Sequence, residues 1–139
     1  MNAELLISVH TMRYRYVALR DHIVGLRVML QPSDLIDADG QLIPSCELGR
    51  LLDPHDLRSN PRRHALLVPT RRRLVALLVE RVDDMVAFQA AAIHPLPPIL
   101  AQQLQYKWVS GVVNDADQPI LLLDLRQIAQ DGLRSGVFH

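Results

Sequence analysis

The residues of this 139-residue chain that could do chemistry are one cysteine, six histidines and several acidic turns. Cys46 could act as a nucleophile with a histidine as its base, because the members of such a pair are usually distant in sequence. No two histidines stand at zinc-like spacing and no second cysteine is present, so we expect no metal site. The histidines are His10, His22, His55, His64, His94 and His139.

Asp37, Asp39 and Gly40 have the spacing of the middle of an EF-hand loop. That loop also needs an acid at its first position and a glutamate at its twelfth. Leu35 and Cys46 occupy those positions here. The pattern therefore predicts an acidic hairpin turn rather than a calcium site. The chain also contains no Walker A or dinucleotide-binding motif, so it offers no phosphate-binding loop.

Arginines are concentrated between residues 50 and 73, where the only acids are Asp53 and Asp56. A nucleic-acid site would need aromatic residues that stack on bases, or a helix that enters a groove, and this stretch has neither. The whole chain has 15 basic and 15 acidic residues, so it lacks the overall field that attracts nucleic acid. We expect a solvated turn and loop here, and no nucleic-acid partner.

The composition is that of an ordinary globular protein, with 49% apolar and 22% charged residues. No apolar run approaches the roughly 20 residues that a membrane-spanning helix requires, so we expect no membrane insertion. A single cysteine cannot form an intrachain disulfide, and the first residues lack the basic character of a signal peptide. These features favour a cytoplasmic location.

Short apolar segments separated by turn residues predict an all-β protein built of barrels or a sandwich. No helical pattern of ten or more residues separates them, and only short helices are expected, after Glu47, Pro98 and Asp124. The continuous apolar runs at 65–69 and 74–79 indicate a hairpin that is covered on both faces. The predicted strands are residues 5–9, 14–19, 23–30, 65–69, 74–79, 82–88, 109–113 and 120–123.

An internal repeat relates residues 41–52 to residues 118–129 at one constant offset without a gap. In each copy an apolar strand leads to an acid, Glu47 or Asp124, and a short helix follows. We expect each acid to accept hydrogen bonds from the first N–H groups of its helix. Asp53 and Gly132 are expected to end the two helices. The repeat predicts two similar lobes that share a core.

On these strands and turns, residues 5–129 resemble the CheW-like adaptors of bacterial chemosensory arrays. The closest stretch is residues 74–85, in which an apolar run leads to Val82-Asp83-Asp84-Met85 and resembles the family's Val-Asp-x-Val. A proline-containing link, Val109-Ser110-Gly111-Val112-Val113 and residues 120–125 follow in the family's order and spacing. In the first half, residues 16–26, and residues 40–44 followed by Glu47-Leu48, are similar to the family's motifs.

The resemblance implies one CheW-like domain over residues 1–139, with two small SH3-like five-stranded β-barrel lobes and a few short helices. The first lobe would span about residues 14–60 with the terminal elements, and the second about 64–130. Such proteins are not enzymes and carry no cofactor. They link the cytoplasmic tips of chemoreceptors to the regulatory domain of the histidine kinase CheA. They do so through exposed apolar strand edges and the groove between the lobes.

The resemblance also places six residues at or near partner surfaces, with Met85 as a further apolar interface candidate. For the valines among them, the plain alternative is a place in the core. The residues expected to keep turns and helix starts in shape are Gly40, Pro44, Asp83, Gly111 and Asp124. The six residues are Asp39, Gly40, Val82, Asp83, Val112 and Val113.

The chain departs from the family in two places. Asp39 stands where the family's Asn-Leu-Arg-Gly turn carries its arginine, so a contact charge is reversed. Residues 26–40 are fewer than the family's corresponding segment, which predicts a truncated first lobe with an open strand edge. Such an edge could pair with a second copy of the chain. Two alternatives stay open: a divergent module that serves another signalling complex, and a small ligand-binding or enzymatic β-barrel that uses Cys46 or a histidine.

Overall fold

The computed structural model describes residues 3–56, 61–83, 85–103 and 106–139. Three residues of the sequence patterns lie outside these ranges: Arg58 of the arginine-rich stretch, Asp84 of the stretch at 74–85, and Leu104, which was expected in the short helix after Pro98. The strands are β1 (Ala3–His10), β2 (Arg15–Leu19), β3 (Gly25–Met29), β4 (Ser45–Glu47), β5 (Arg63–Pro69), β6 (Leu74–Val79), β7 (Arg81–Val82), β8 (Val86–Gln89), β9 (Ile93–His94), β10 (Val109–Asp115) and β11 (Gln118–Leu123). The α-helices are α1 (Leu48–Leu52), α2 (Pro98–Ala101) and α3 (Leu125–Ser135).

The strands form two sheets. One has seven strands in the order β7-β1-β2-β11-β10-β9, with β8 also paired to β1, and the other has four in the order β3-β5-β6-β4. The pairs β2–β11 and β4–β6 are parallel and the other pairs are antiparallel. The predicted mostly-β fold with a few short helices is confirmed. Across the described ranges no pairing closes either sheet, so the lobes are open sheets rather than five-stranded barrels.

The predicted strand at 82–88 is divided into β7 and β8, which pair with the two ends of β1. Strand pairing also crosses the expected boundary between lobes near residues 60–64. β5 and β6 from the second half pair with β3 and β4 from the first, while β2 pairs with β11. Each half of the chain therefore contributes strands to both sheets.

The hairpin of β5 and β6 is covered on both faces, as its continuous apolar sequence predicts. Leu66 and Leu77 point into the main core with Leu123 and Ile128. Alternate residues such as Leu67 point into a second cluster on the opposite face. Because side chains alternate along a strand, a hairpin between two apolar layers needs apolar residues at nearly every position.

The internal repeat corresponds to two strand–helix units, β4–α1 and β11–α3. Each strand pairs in parallel with a neighbouring strand. In β4, Cys46 lies opposite Leu77 of β6, and in β11, Leu123 lies opposite Ala18 of β2. Asp124 caps α3, since its Oδ1 accepts from the Gln127 N–H at 3.0 Å. The prediction that Glu47 caps α1 is wrong, because its carboxylate instead binds Arg63 and makes no cap hydrogen bond.

The first repeat helix ends at Asp53, as predicted, but the second does not end at Gly132. Helix α3 continues to Ser135 and ends at Gly136, whose φ of +76° is the left-handed conformation that favours glycine. Gly132 serves close packing instead, because a Cβ there would lie 2.5 Å from Cε2 of Phe138. The segment that follows reaches β4, where His139 and Ser45 exchange two backbone hydrogen bonds of 3.0 Å.

Candidate functional site

Strand β3 lies at one end of the four-stranded sheet and presents an apolar strip to solvent. Its neighbour is β5, and on one face Met29 is buried in the second cluster. The other face shows Leu26 and Val28, and the flanking Val24 and Leu30 continue the alternation. These four side chains are 48–63% exposed. An apolar strip of this kind at a sheet edge is a common place for a partner to bind.

Residues from both sheets meet in a groove of about 490 Å³, here called the apolar groove. Leu26 and Val28 of β3 form one wall, and Val82 of β7 with the following Met85 forms the other. The buried Ile7 of β1 contributes to the floor. Met85 is 56% exposed, so two apolar walls with open access face each other. The polar rim consists of Arg20, Arg27, His64 and Asp83.

Asp83 fixes the wall of the groove that carries Val82. Its backbone N–H donates to Ser8 of β1 at 2.9 Å, and its Oδ2 lies 2.6 Å from His10 Nε2. Arg81 Nε lies 3.2 Å from Asp83 Oδ1. Partial burial acts to raise the pKa of Asp83, but the His10 hydrogen bond and the nearby cations outweigh it and lower that pKa below its ordinary value. Asp83 is therefore a structural anchor at the rim.

A largely buried ion-pair cluster supports the chain segment that leads into the same wall. The Arg63 side chain of β5 is only 5% exposed and binds both carboxylate oxygens of Glu47. It also donates to Glu80 at 2.6 Å. Glu47 immediately precedes α1, and Glu80 lies between β6 and β7. Arg63 thus joins the start of α1 to the link that leads into Val82.

The structure brings together only two of the six predicted partner residues, Val82 and Asp83. Val112 lies elsewhere, half-buried in β10, where it is paired with Leu121 on one side and His94 of β9 on the other. Val113 is fully buried in a third apolar cluster. Val113 therefore offers no surface to a partner, and its place is the core.

Asp39 and Gly40 belong to the predicted acidic hairpin turn, which the structure confirms. Asp37 Oδ1 accepts from the N–H groups of Asp39 and Gln41 at 2.9 Å each, and Ile36 bridges to Leu42. Gly40 has a φ of +78°, which explains the glycine. The turn is exposed, and none of the residues that line the apolar groove comes from it.

Sequence reasoning missed Leu26 and Val28 as site residues, although it predicted their strand. The available signal was the alternation of Val24, Leu26, Val28 and Leu30 along that segment. Alternation shows which residues share a face of the strand. Only the sheet order reveals that β3 is an edge strand and that this face borders the other sheet.

The alternative of an enzyme using Cys46 finds little support in the geometry. Cys46 lies in β4 as a packed residue of the main core. Burial, with a smaller effect of Glu47, raises the pKa of its thiol to about 12, so at neutral pH it is not a nucleophilic thiolate. Among residues 3–56, 61–83, 85–103 and 106–139, no cluster of three histidine, cysteine or acidic side chains is placed to bind a metal ion.

A polar cleft of about 570 Å³ beside the groove is the concave site that a small enzyme would need. His10, His64 and Glu80 line it. Two of these groups are already engaged, because His10 is paired with Asp83 and Glu80 with Arg63. The cleft therefore offers fewer free catalytic groups than its lining residues suggest.

The apolar groove lies between two open sheets, and the ion pairs of Asp83 and Arg63 support one of its walls. These features define a protein-binding module rather than a site with converging reactive groups. The family model for the CheW-like domain matches residues 22–132. The chain belongs to this family, and the match supports a role as an adaptor in chemotaxis signalling.

The fold agrees with a solved relative. The crystal structure of the scaffolding protein TtCheW from Thermoanaerobacter tengcongensis superposes with a TM-score of 0.69 at 15% sequence identity. The match covers 90% of this chain and 91% of that one, so the likeness extends over the whole fold. No curated protein sequence matches the chain. In the part of the chain that the structure describes, no helix has the length and apolar character to span a membrane.

Proposed function

We propose that this protein is a non-catalytic cytoplasmic adaptor that couples chemoreceptors to the histidine kinase CheA. The observation that carries the proposal is the apolar groove, whose walls come from different sheets. A groove of this kind takes the apolar face of an amphipathic helix, with side chains at helical spacing inserted between the walls.

The proposed occupant of the apolar groove is the helical cytoplasmic tip of a chemoreceptor. Leu26, Val28 and Met85 would pack against its apolar side chains, because all three are about half exposed in the free protein. Arg27 and Asp83 at the rim supply charges of both signs, which would set the orientation of the helix. Burial of the apolar walls would supply most of the binding free energy.

The proposed surface for the regulatory domain of CheA is the edge of the seven-stranded sheet that β9 forms, at the other end of the sheet from β7. Strand β9 has only two residues, Ile93 and His94, which pair with Val113 and Val112 of the longer β10. A strand from a partner could extend this edge through backbone hydrogen bonds. Gly111 allows the close approach of β9, since a Cβ there would lie 2.8 Å from the His94 carbonyl oxygen.

The Asp37–Gly40 turn would add a contact at its exposed tip, through Asp39. The carboxylate replaces an arginine of the family motif, so its partner would have to present a basic group there. The energetic effect is small if the contact stays solvated and larger if it is buried. A module that serves another signalling complex is the second candidate, and this reversed charge is the observation that favours it.

The proposal is tested by calorimetric titration of the protein with a receptor-tip fragment and, separately, with the CheA regulatory domain. Val28→Glu places a charge in the apolar groove and is expected to weaken receptor binding by about tenfold or more. Ile99→Glu is the matched control, because Ile99 of α2 is 76% exposed and does not line the groove. Val28→Glu should leave kinase binding unchanged. Absence of binding to both partners would overturn the coupling role.

A further inference from the structure

The three consecutive arginines of the β5–β6 turn are held in a defined geometry. Thr70 Oγ1 accepts from the N–H groups of Arg72 and Arg73 at 3.2 and 3.1 Å and donates to the Arg73 carbonyl at 2.8 Å. The Thr70 N–H donates to the same carbonyl at 3.0 Å. Arg73 turns toward the Leu42 carbonyl, 3.5 Å away. Arg71 and Arg72 are exposed on a tight turn rather than on a loose loop.

These two arginines line a cleft of about 380 Å³ against helix α3, here called the basic cleft. Arg134 and Gln130 of α3 face them across it, and Leu133 supplies an apolar patch. Among the described residues that line the cleft, none carries a carboxylate. Within the described part of the chain, Arg71, Arg72 and Arg134 form no ion pair. Three arginine side chains therefore line the basic cleft.

The nearest acid on the same helix, Asp131, offsets only part of the positive charge of the basic cleft. Asp131 accepts from Trp108 Nε1 at 2.8 Å and from Gln127 Nε2 at 2.9 Å. It lines a neighbouring cleft together with Trp108, Lys107 and Arg134, and Arg134 is one of the cations that lower its pKa. The C-terminal carbonyls of α3 carry partial negative charge, but Gly136 N–H caps those of Gly132 and Leu133. The net character of the basic cleft is thus cationic.

We propose that the basic cleft binds an acidic peptide segment of a partner protein. Each guanidinium can hold a carboxylate with two hydrogen bonds, and Leu133 can contact an apolar residue between the acids. The lining residues that the structure describes include no aromatic side chain, which is the stacking platform that single-stranded nucleic acid uses. The site shares no residue with the apolar groove and is a second interaction surface.

The test is fluorescence anisotropy with a fluorescein-labelled hexaglutamate peptide at physiological salt. The double variant Arg71→Glu/Arg134→Glu should weaken binding by about tenfold or more, because like charges then meet the peptide. Arg50→Glu is the control, since it makes one such charge reversal at an exposed position of α1 outside the cleft. It should leave the affinity within about twofold, since it touches no contact to the peptide. Arg71→Gln/Arg134→Gln, checked by circular dichroism, separates lost contacts from misfolding.

Three outcomes would overturn the proposal. The first is no saturable binding of hexaglutamate, or equal loss of binding in the Arg50→Glu control. The second is displacement of the peptide by inorganic phosphate at a concentration equal to that of the peptide, which would indicate a site for small anions. The third is tighter, equally arginine-dependent binding of a single-stranded oligonucleotide. Titration of the double variant with the receptor-tip fragment shows whether the apolar groove still binds its partner. Failure of the basic cleft can therefore be distinguished from failure of the apolar groove.

Discussion

Replacing Arg63 with methionine removes the arginine that pairs with two carboxylates. Glu47 and Glu80 would remain, with side chains 17% and 23% exposed, and each would lose its ion pair with Arg63. The free energy of unfolding should fall because two charges would stay in a poorly hydrated site. The apolar groove should also loosen, since Arg63 supports the link that leads to Val82.

The expected size follows from the contacts. Hydrogen bonds to charged groups each contribute about 1.5–3 kcal/mol, and removal of one partner from a buried ion pair costs about 3–5 kcal/mol. Water reaches both glutamates in part, which puts the expected loss for Arg63→Met at about 3 kcal/mol. Since small domains have about 5–15 kcal/mol of stability, the variant should be much less stable.

Urea unfolding followed by circular dichroism measures this loss. Arg50→Met is the control, because Arg50 is exposed, and it should change stability by less than about 0.5 kcal/mol. Adding Glu47→Gln and Glu80→Gln to Arg63→Met removes the two carboxylate charges and should recover part of the loss. A loss below about 1 kcal/mol for Arg63→Met, or no recovery in the triple variant, would refute the reasoning.

Three further predictions concern a buried histidine, a helix cap and a sheet edge. Burial lowers the pKa of His22 despite Asp124 nearby, and its Nδ1 has no hydrogen-bond partner among the described residues, so the folded state favours the neutral ring. The stability this contributes is present above the unfolded pKa of about 6.5 and is lost as the pH falls below it. His22→Gln should flatten the dependence of the urea midpoint on pH between about 7 and 5, and an unchanged slope would contradict this. Asp124→Ala should lower stability by about 1 kcal/mol through loss of the α3 cap, whereas an unchanged urea midpoint would show that the cap contributes nothing. The open edge of β3 should let two copies pair, so sedimentation should show a dimer that Leu30→Lys weakens. A monomer at all concentrations would exclude pairing.

Local sequence signals predicted the elements but not their assembly. The apolar runs of β5 and β6 and the repeat that contains Cys46 and Asp124 each specify a strand or a helix start through residue types within a few positions. The repeat failed at Glu47 because a nearby cation competes with the helix N-terminus for its carboxylate. That cation, Arg63, is separated from Glu47 in sequence, so no local pattern reveals it.

The apolar groove required information that a single sequence does not carry. Val82 was predicted as a site residue from a family resemblance. Leu26 and Val28 could be recognised as site residues only from the structure, in which β3 is the edge strand of its sheet. The same limit explains why Val113 was expected at a partner surface although it lies in the core. Strand alternation places Val112 and Val113 on opposite faces but does not say which face is covered. Gly132 was misassigned for a related reason, because a glycine that stops a helix and one that admits Phe138 look alike in sequence.

The order of strands has a consequence for synthesis of the chain. The four strands of the smaller sheet lie within residues 25–79, so they can pair while the rest is still being made. In the larger sheet β1 pairs with β7 and β8 from the middle of the chain, whereas β2 pairs with β11 near the other end. Leu6 and Val17 share their cluster with Ile120 and Leu122. Until β11 is made, β2 has a bare edge and the β1–β2 hairpin an uncovered apolar face, the condition in which nascent proteins aggregate or recruit chaperones.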